Sequence, residues 1–171
     1  MMTNTKTFYK QLDALLSVEK KKYLELKTIL VEKQNAIVQN NLKELQDSII
    51  SEQDMLQEIA ELATKRDAVS HELAAFLGIR DRRITLTKIM ARSSEENKER
   101  LEKRKSDLKS ILKGIDIINK ENSKLLEFSI HNIHELVSKI MGFNKISPSM
   151  YNLSGKKDDS HNQANIFNIK I

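Results

Sequence analysis

One uninterrupted stretch, residues 93–142, constrains the fold of this chain more than any other feature of the sequence. It begins with Ser93-Ser94-Glu95-Glu96, a capping-box pattern, and it ends at Gly142, a residue type favoured just after a helix. No proline interrupts it, and apolar residues recur in steps of mostly three and four. This spacing predicts one amphipathic helix over about residues 94–141, roughly 70 Å long, that packs against other helices.

The composition also favours long helices. Charged residues make up 31% of the chain and aromatic residues 5%, with four glycines and one proline, which argues against a sheet or a glycine-rich ligand loop. The chain has no cysteine, so it has no disulfide framework, and this fits a reducing compartment. No apolar run reaches the length of a membrane span or has the form of a secretory signal. We therefore expect a cytoplasmic protein without membrane insertion.

The first half of the chain predicts a helical hairpin. Apolar residues at helical spacing indicate one helix over residues 5–38 and a second over residues 42–77. Asn40-Asn41 breaks the pattern, and Asn41 followed by Glu44 can cap the second helix. A break this short makes the two helices antiparallel neighbours.

Three charged residues interrupt the apolar pattern of this hairpin. Glu19 occupies a position of the first helix where an apolar side chain is expected. Glu52 and Arg66 fall near the seam of the second helix, where they either pair across the seam or point to solvent. The sequence leaves these two alternatives open.

A short connector and a polar tail complete the predicted architecture. Apolar residues within 84–91 indicate a short helix that covers one end of the bundle. After Gly142 the chain is rich in Asn, Ser, Lys and Asp and contains the only proline, Pro148, which predicts a flexible tail. The predicted fold is therefore all-α, an antiparallel bundle of long helices over residues 1–142 followed by a docking tail over residues 143–171.

The second half of the long helix is more apolar than one bundle seam requires. Between Ile111 and Met141 the large apolar residues fill an arc of roughly 160° at about 100° per residue, while Ile117 and Phe128 point away from it. Two interpretations stay open. The arc belongs to a larger core or a homodimer seam, or it is left open as a groove for a partner helix.

Positive charge is concentrated in residues 80–113, which contain 12 Lys and Arg against 6 Asp and Glu. Nucleic acid is one partner for such a stretch. However, acidic residues are interleaved with the basic ones and no aromatic residue lies nearby to stack on bases. We therefore expect a solvated helix face with ion pairs one turn apart, and no nucleic acid.

The sequence carries no pattern of an enzyme. His131 and His134 lie one helical turn apart, but neither a cysteine nor an acidic cluster accompanies them to complete a metal site. Serines and acids are scattered without a nucleophile elbow, a phosphate-binding loop or a carboxylate pair. We therefore expect no catalytic activity, no metal and no cofactor.

Three segments of the chain carry a likeness to a known family. They are Leu15-Leu16-x-x-Glu19-x-x-x-Tyr23-x-x-Leu26 in the hairpin, Asn122-Ser123-Lys124-Leu125-Leu126-Glu127 in the long helix, and Pro148-Ser149-Met150-Tyr151-Asn152-Leu153-Ser154-Gly155 in the tail. With these segments the chain resembles the FlgN-type flagellar export chaperones. The inserted basic stretch, residues 80–113, departs from a minimal member of that family.

The resemblance implies a type III secretion chaperone for the hook–filament junction proteins FlgK and FlgL. In the family, the C-terminal part of the long helix binds C-terminal helical segments of these cargo proteins, prevents their premature assembly and delivers them to the export gate. The positions that this implies for cargo binding here are Ile118, Asn122, Leu125, Leu126, Ile130, Ile133, Leu136, Val137 and Ile140.

The resemblance also implies a second binding segment in the tail. In the family a tail tyrosine docks on the cytosolic domain of the export gate, FlhA, and Tyr151 is the matching position. Its neighbours in the motif are Pro148, Met150 and Gly155. Two functions of other classes remain as alternatives: a structural coiled coil that forms a homodimer through the apolar arc, and a basic adaptor that binds nucleic acid.

Overall fold

The computed structural model describes the backbone of residues 2–141 and the side chains of residues 5–141. Four helices follow one another, α1 (Met2–Val38), α2 (Leu42–Phe76), α3 (Leu86–Met90) and α4 (Glu95–Ile140). This confirms the all-α prediction, with each helix end within a few residues of the expected position. The predicted tail, residues 143–171, lies outside the described residues. The chain divides within α4, between Ser123 and Lys124, into two compact units.

The connection between α1 and α2 is short because two adjacent asparagines both end α1 and cap α2. Asn40 adopts a left-handed backbone conformation with φ of 53°, which asparagine tolerates better than most residues. The N–H groups of Asn40 and Asn41 donate to the carbonyls of Ile37 and Ala36, which closes the end of α1 as a Schellman motif. The Asn41 side chain then accepts a hydrogen bond from the Glu44 N–H. The predicted cap of α2 is thus confirmed.

The end of α2 repeats this geometry with a glycine. Gly78 has φ of 70°, and the next N–H, that of Ile79, donates to the Ala74 carbonyl. The chain then reaches α3, whose N-cap Thr85 accepts a hydrogen bond from the Lys88 N–H. Although α3 has only five residues, it buries the side chains of Leu86, Ile89 and Met90. A short apolar helix in the connector was predicted.

α1 supplies much of the apolar core of the first unit, residues 1–123. Leu12, Leu16, Tyr23, Leu26 and Leu30 are each at most 1% exposed. With the buried Glu19 between Leu16 and Tyr23, they follow the alternating four- and three-residue spacing of a coiled-coil seam. Full burial of one such side chain contributes about 1.5–3 kcal/mol. This continuous stripe is therefore the main reason why α1 stays packed along its length.

Two of the ion pairs between α1 and α2 are largely buried. Glu19 Oε2 lies 3.0 Å from Arg66 Nη1, and Lys33 Nζ lies 2.6 Å from Glu52 Oε2. The first pair is the more deeply buried, since the Glu19 side chain is only 1% exposed. Of the two alternatives that the sequence left open for Glu52 and Arg66, pairing across the seam is the one observed.

The environment of Glu19 is unusual for a carboxylate. Burial raises its pKa above the 4.5 usual for glutamate, and the attraction of Arg66 and their hydrogen bond act in the opposite direction. Its second oxygen, Oε1, is buried without a hydrogen-bond partner among the described residues. Burial also raises the pKa of the neighbouring Tyr23 to about 12, and the Glu19 charge adds to that shift.

α4 runs parallel to α1 through the first unit. Arg104 makes two hydrogen bonds to the Asp13 carboxylate, at 2.8 and 3.2 Å. Lys20 Nζ lies 2.7 Å from Asp107 Oδ2. Further along both helices, Asn122 Nδ2 donates to the Leu30 carbonyl at 2.9 Å. Because partner positions increase together on the two helices, both run in the same direction, and α2 runs opposite to α1.

The start of α4 differs from the predicted capping box. The Ser93 hydroxyl donates to the Ile89 carbonyl and shares a 2.6 Å hydrogen bond with the Tyr9 hydroxyl. Glu96, the expected acid of the box, pairs with Arg100. The residue that reaches back to Ser94 is Asn97, whose amide donates to the serine hydroxyl at 3.1 Å. The capping-box pattern of the sequence did not predict which residues form the hydrogen bonds at the start of α4.

The basic stretch, residues 80–113, is largely an exposed surface with local ion pairs. Lys98 pairs with Glu95 and Lys105 with Glu102, each three residues apart on α4. Together with the Glu96–Arg100 pair they form the predicted solvated face, and pairs of this kind contribute about 0.2–0.5 kcal/mol each.

An exposed apolar face on the long helix

The second unit begins at Lys124 and contains the last part of α4. This part of the helix carries an unusual amount of exposed apolar surface. Five aliphatic side chains on it are between 44% and 83% exposed. We call them the exposed stripe: Ile130, Ile133, Leu136, Val137 and Ile140. Large aliphatic residues in such number on one helical segment indicate a surface that another molecule covers.

The first part of the same helix behaves differently. Leu101, Leu108 and Ile115 follow a strict seven-residue repeat, and each is at most 2% exposed. α4 therefore uses one apolar seam for its own fold and keeps a second set of apolar residues on its surface. The sequence periodicity alone does not separate these two sets, because both recur at helical spacing.

The exposed stripe has the form of a helix-docking surface. Ile130, Ile133, Val137 and Ile140 follow one another in steps of three, four and three, so they lie along one side of the helix over about 15 Å. Charged groups flank the stripe, since Glu135 lies 3.4 Å from His131 and 3.7 Å from Lys139. An apolar stripe with charged residues beside it is typical of a surface that binds the apolar face of an amphipathic helix.

The structure separates the nine predicted binding positions into three groups. The five residues of the exposed stripe are on the surface. Ile118, Leu125 and Leu126 are half-buried. Asn122 is only 2% exposed, so it does not belong to the surface that the other residues form.

Asn122 is accounted for by its place in the fold of the first unit. It continues the seven-residue repeat of Leu101, Leu108 and Ile115, and its amide donates to the Leu30 carbonyl of α1. Its side-chain oxygen is buried without a hydrogen-bond partner among the described residues. A buried asparagine in an apolar seam lowers stability and favours one alignment of the two helices.

Two exposed apolar residues were not among the predicted positions. Phe128, on the same segment of α4, and Met141, one residue past the end of α4, are each 64% exposed. Met141 falls within the apolar arc of the sequence and could have been included on that ground. Phe128 points away from that arc, and only its exposure in the structure draws attention to it.

The predicted tail positions, Pro148, Met150, Tyr151 and Gly155, lie outside the described residues. Within the described residues, no three His, Cys, Asp or Glu side chains come together as metal ligands. None of the described helices is long and apolar enough to cross a membrane. The exposed face is therefore the feature of the described chain that points most directly to a function.

Comparison with known protein families agrees with this picture. The model of the FlgN family, described as FlgN protein, matches residues 1–159. The chain belongs to the FlgN family. Neither a curated protein nor a solved structure matches it.

Membership of the FlgN family makes this protein a flagellar export chaperone. The family consists of chaperones rather than enzymes and serves flagellar hook-associated proteins. The match includes the whole of α4 and extends past its end, so the exposed stripe lies inside the part of the chain that the family model matches.

Proposed function

We propose that this FlgN protein is a cytoplasmic chaperone that binds the C-terminal helical segments of FlgK- and FlgL-like junction proteins through the exposed stripe. The observation that carries the proposal is the exposure of Ile130, Ile133, Leu136, Val137 and Ile140 on a helix that buries Leu101, Leu108 and Ile115 in its first part. Covering an amphipathic cargo segment in this way keeps it from assembling prematurely. Three further positions that the resemblance implies, Ile118, Leu125 and Leu126, are half-buried.

Binding to this face draws on apolar burial. A cargo segment that is disordered when free folds as it docks and loses conformational entropy, which the buried aliphatic groups must outweigh. A Val or Ile side chain that becomes fully buried contributes about 1.5–3 kcal/mol. Loss of two such contacts is thus expected to weaken binding by at least about 100-fold.

Titration calorimetry of the full chain against C-terminal segments of the two junction proteins tests this proposal. We expect one-to-one binding with a negative heat-capacity change, and loss of binding in Ile133→Asp with Val137→Asp. Ile117→Asp is a matched control, since Ile117 is also exposed on α4 but lies outside the stripe. Absence of binding to either segment, or equal loss in the control, would contradict the proposal.

We further propose that the tail delivers the loaded chaperone to an FlhA-like export gate. Support comes from the Pro-x-x-Tyr-x-x-x-Gly pattern of residues 148–155, which resembles the docking motif of the family. Tyr151, with Met150 beside it, can insert its ring into an apolar cleft while its hydroxyl forms a hydrogen bond. Tyr151→Ala is expected to abolish binding to the cytosolic gate domain and to leave cargo affinity unchanged. Equal loss of both would refute this division between two sites.

A structural homodimer is the second candidate, because a second copy of the chain could cover the same stripe. Sedimentation equilibrium of the full chain separates the two functions. A monomer that becomes a one-to-one complex with cargo supports the chaperone. A stable dimer that Ile133→Asp with Val137→Asp dissociates, and that no junction segment opens, supports the structural coiled coil.

A further inference from the structure

The exposed stripe poses a physical problem for a chaperone without cargo. Five aliphatic side chains within about 15 Å of helix remain in water, and apolar surface of this kind favours self-association and aggregation. An occupant that covers the stripe until cargo arrives would remove this problem.

The chain itself provides a suitable segment. The sequence continues through residues 142–171 after the last described residue, Met141, and it ends in Ile166-Phe167-Asn168-Ile169-Lys170-Ile171. Four of these last six residues are large and apolar, whereas residues 154–165 between Ser154 and Asn165 are almost entirely polar. Neither the cargo-binding nor the gate-docking proposal uses this apolar end.

Chain length allows this end to return to the stripe. Residues 142–165 span up to about 80 Å when extended, several times the 15 Å or so of the stripe. Length therefore sets no obstacle to contact within one molecule.

We propose that residues 166–171 bind the exposed stripe of their own chain when no cargo is present, and that cargo displaces them. The displacement by cargo rests on the proposed function, whereas the contact between residues 166–171 and the stripe does not. Apolar side chains on the segment, Ile166, Phe167, Ile169 and Ile171, supply the occupant that the aliphatic stripe requires.

A segment of the same chain has an advantage over a second copy. Tethering sets its effective concentration in the millimolar range, about a thousandfold above a micromolar concentration of separate molecules. Even a weak contact is then substantially populated. Because cargo must displace the segment, the apparent affinity for cargo equals the intrinsic affinity multiplied by the fraction of chains whose stripe is free. Removal of the contact is expected to tighten cargo binding about three- to tenfold.

The contact can be tested without cargo. The chain has no cysteine, so Asn168→Cys provides a single thiol for a spin label. We expect the label to broaden the methyl NMR signals of Ile133 and Ile140 and to leave that of Ile89, which is fully buried in the first unit, unchanged. In a mixed sample, one set of chains carries the spin label without isotopes, and the other carries isotopes without the spin label. Broadening in this sample reports contact between copies, and its absence there reports contact within one chain.

A charged variant and a matched control complete the experiment. Ile166→Asp with Phe167→Asp removes the apolar groups and should abolish the broadening and tighten cargo binding. Asn162→Asp with Asn165→Asp adds the same charge and should change neither. Unchanged broadening in the first variant, or broadening only between copies, would overturn the proposal. If cargo fails to bind while the broadening behaves as expected, the proposed function fails and the contact stands.

Discussion

The buried ion pair between α1 and α2 gives the sharpest prediction about stability. In Arg66→Met the Glu19 carboxylate loses its charged partner while it stays in a site that is 1% exposed. Removal of one member of a buried pair typically costs about 3–5 kcal/mol, because the other charge remains buried without compensation. We expect the free energy of unfolding of Arg66→Met to fall by about this amount at neutral pH.

An exposed pair between the same two helices is the control. Lys22 Nζ lies 2.7 Å from Glu58 Oε2, but the Glu58 side chain is 54% exposed. Water compensates that carboxylate when its partner is removed, so Lys22→Met should cost far less than Arg66→Met. Urea unfolding followed by helical circular dichroism measures both variants under the same conditions.

Replacement of both members of the buried pair should restore stability. In Glu19→Leu with Arg66→Met neither charge has to be buried, and such replacements are often neutral or stabilising. The penalty of Arg66→Met alone should also depend on pH. Burial already raises the pKa of Glu19 above 4.5, and loss of Arg66 raises it further. A raised pKa in the folded state makes stability fall as pH rises through it, so the penalty should vanish below about pH 4.5.

Two results would refute this reasoning. One is a cost for Arg66→Met no larger than that for Lys22→Met. The other is a double variant that is as unstable as Arg66→Met, which would show that packing around the arginine, rather than the charge of Glu19, determines the loss.

Two further predictions concern α4. Gly114→Ala should raise the free energy of unfolding by about 0.5–1 kcal/mol, because the added methyl would meet only the flexible end of Lys27, at 3.5 Å; a lower urea midpoint would contradict this. The hydrogen bond from Arg104, aided by nearby positive charge and opposed by partial burial, lowers the pKa of Asp13 below 3.8. Its stabilising effect is thus present above pH 3.8 and lost as pH falls through the lowered pKa. Asp13→Asn should therefore destabilise the protein at pH 7 and make little difference in strong acid, and a difference that persists in acid would count against the pair.

Much of the fold could be predicted because periodicity and helix ends are local properties. Asn40-Asn41 and Gly78 ended helices where expected, and the apolar repeats placed all four helices. Partners could not be predicted in the same way. The sequence placed Glu19 on the apolar side of α1, but only the alignment of two helices assigns Arg66 to it.

The candidate site was predictable in part for the same reason. The width of the apolar arc indicated an excess of apolar surface in the second half of α4. It did not indicate which residues the fold of the first unit uses. Asn122 looked like a polar member of a binding face, and its buried hydrogen bond to the Leu30 carbonyl became evident only when α1 was in place.

The two largely buried ion pairs between α1 and α2 have a consequence for the alignment of these helices. Glu19 and Lys33 are two heptads apart on α1, and their partners Arg66 and Glu52 are two heptads apart on α2, with the signs reversed. A slip of one heptad would place Glu19 opposite Ile59 or Leu73, both almost fully buried here.

A slip of two heptads would be no better, because it would place Glu19 opposite Glu52 in one direction and Lys33 opposite Arg66 in the other. Apolar repeats alone would tolerate both slips, since leucines and isoleucines exchange places readily along a seam. The charged pairs therefore favour the observed alignment over both slips. A hairpin of two helices of 37 and 35 residues thus closes in a single alignment.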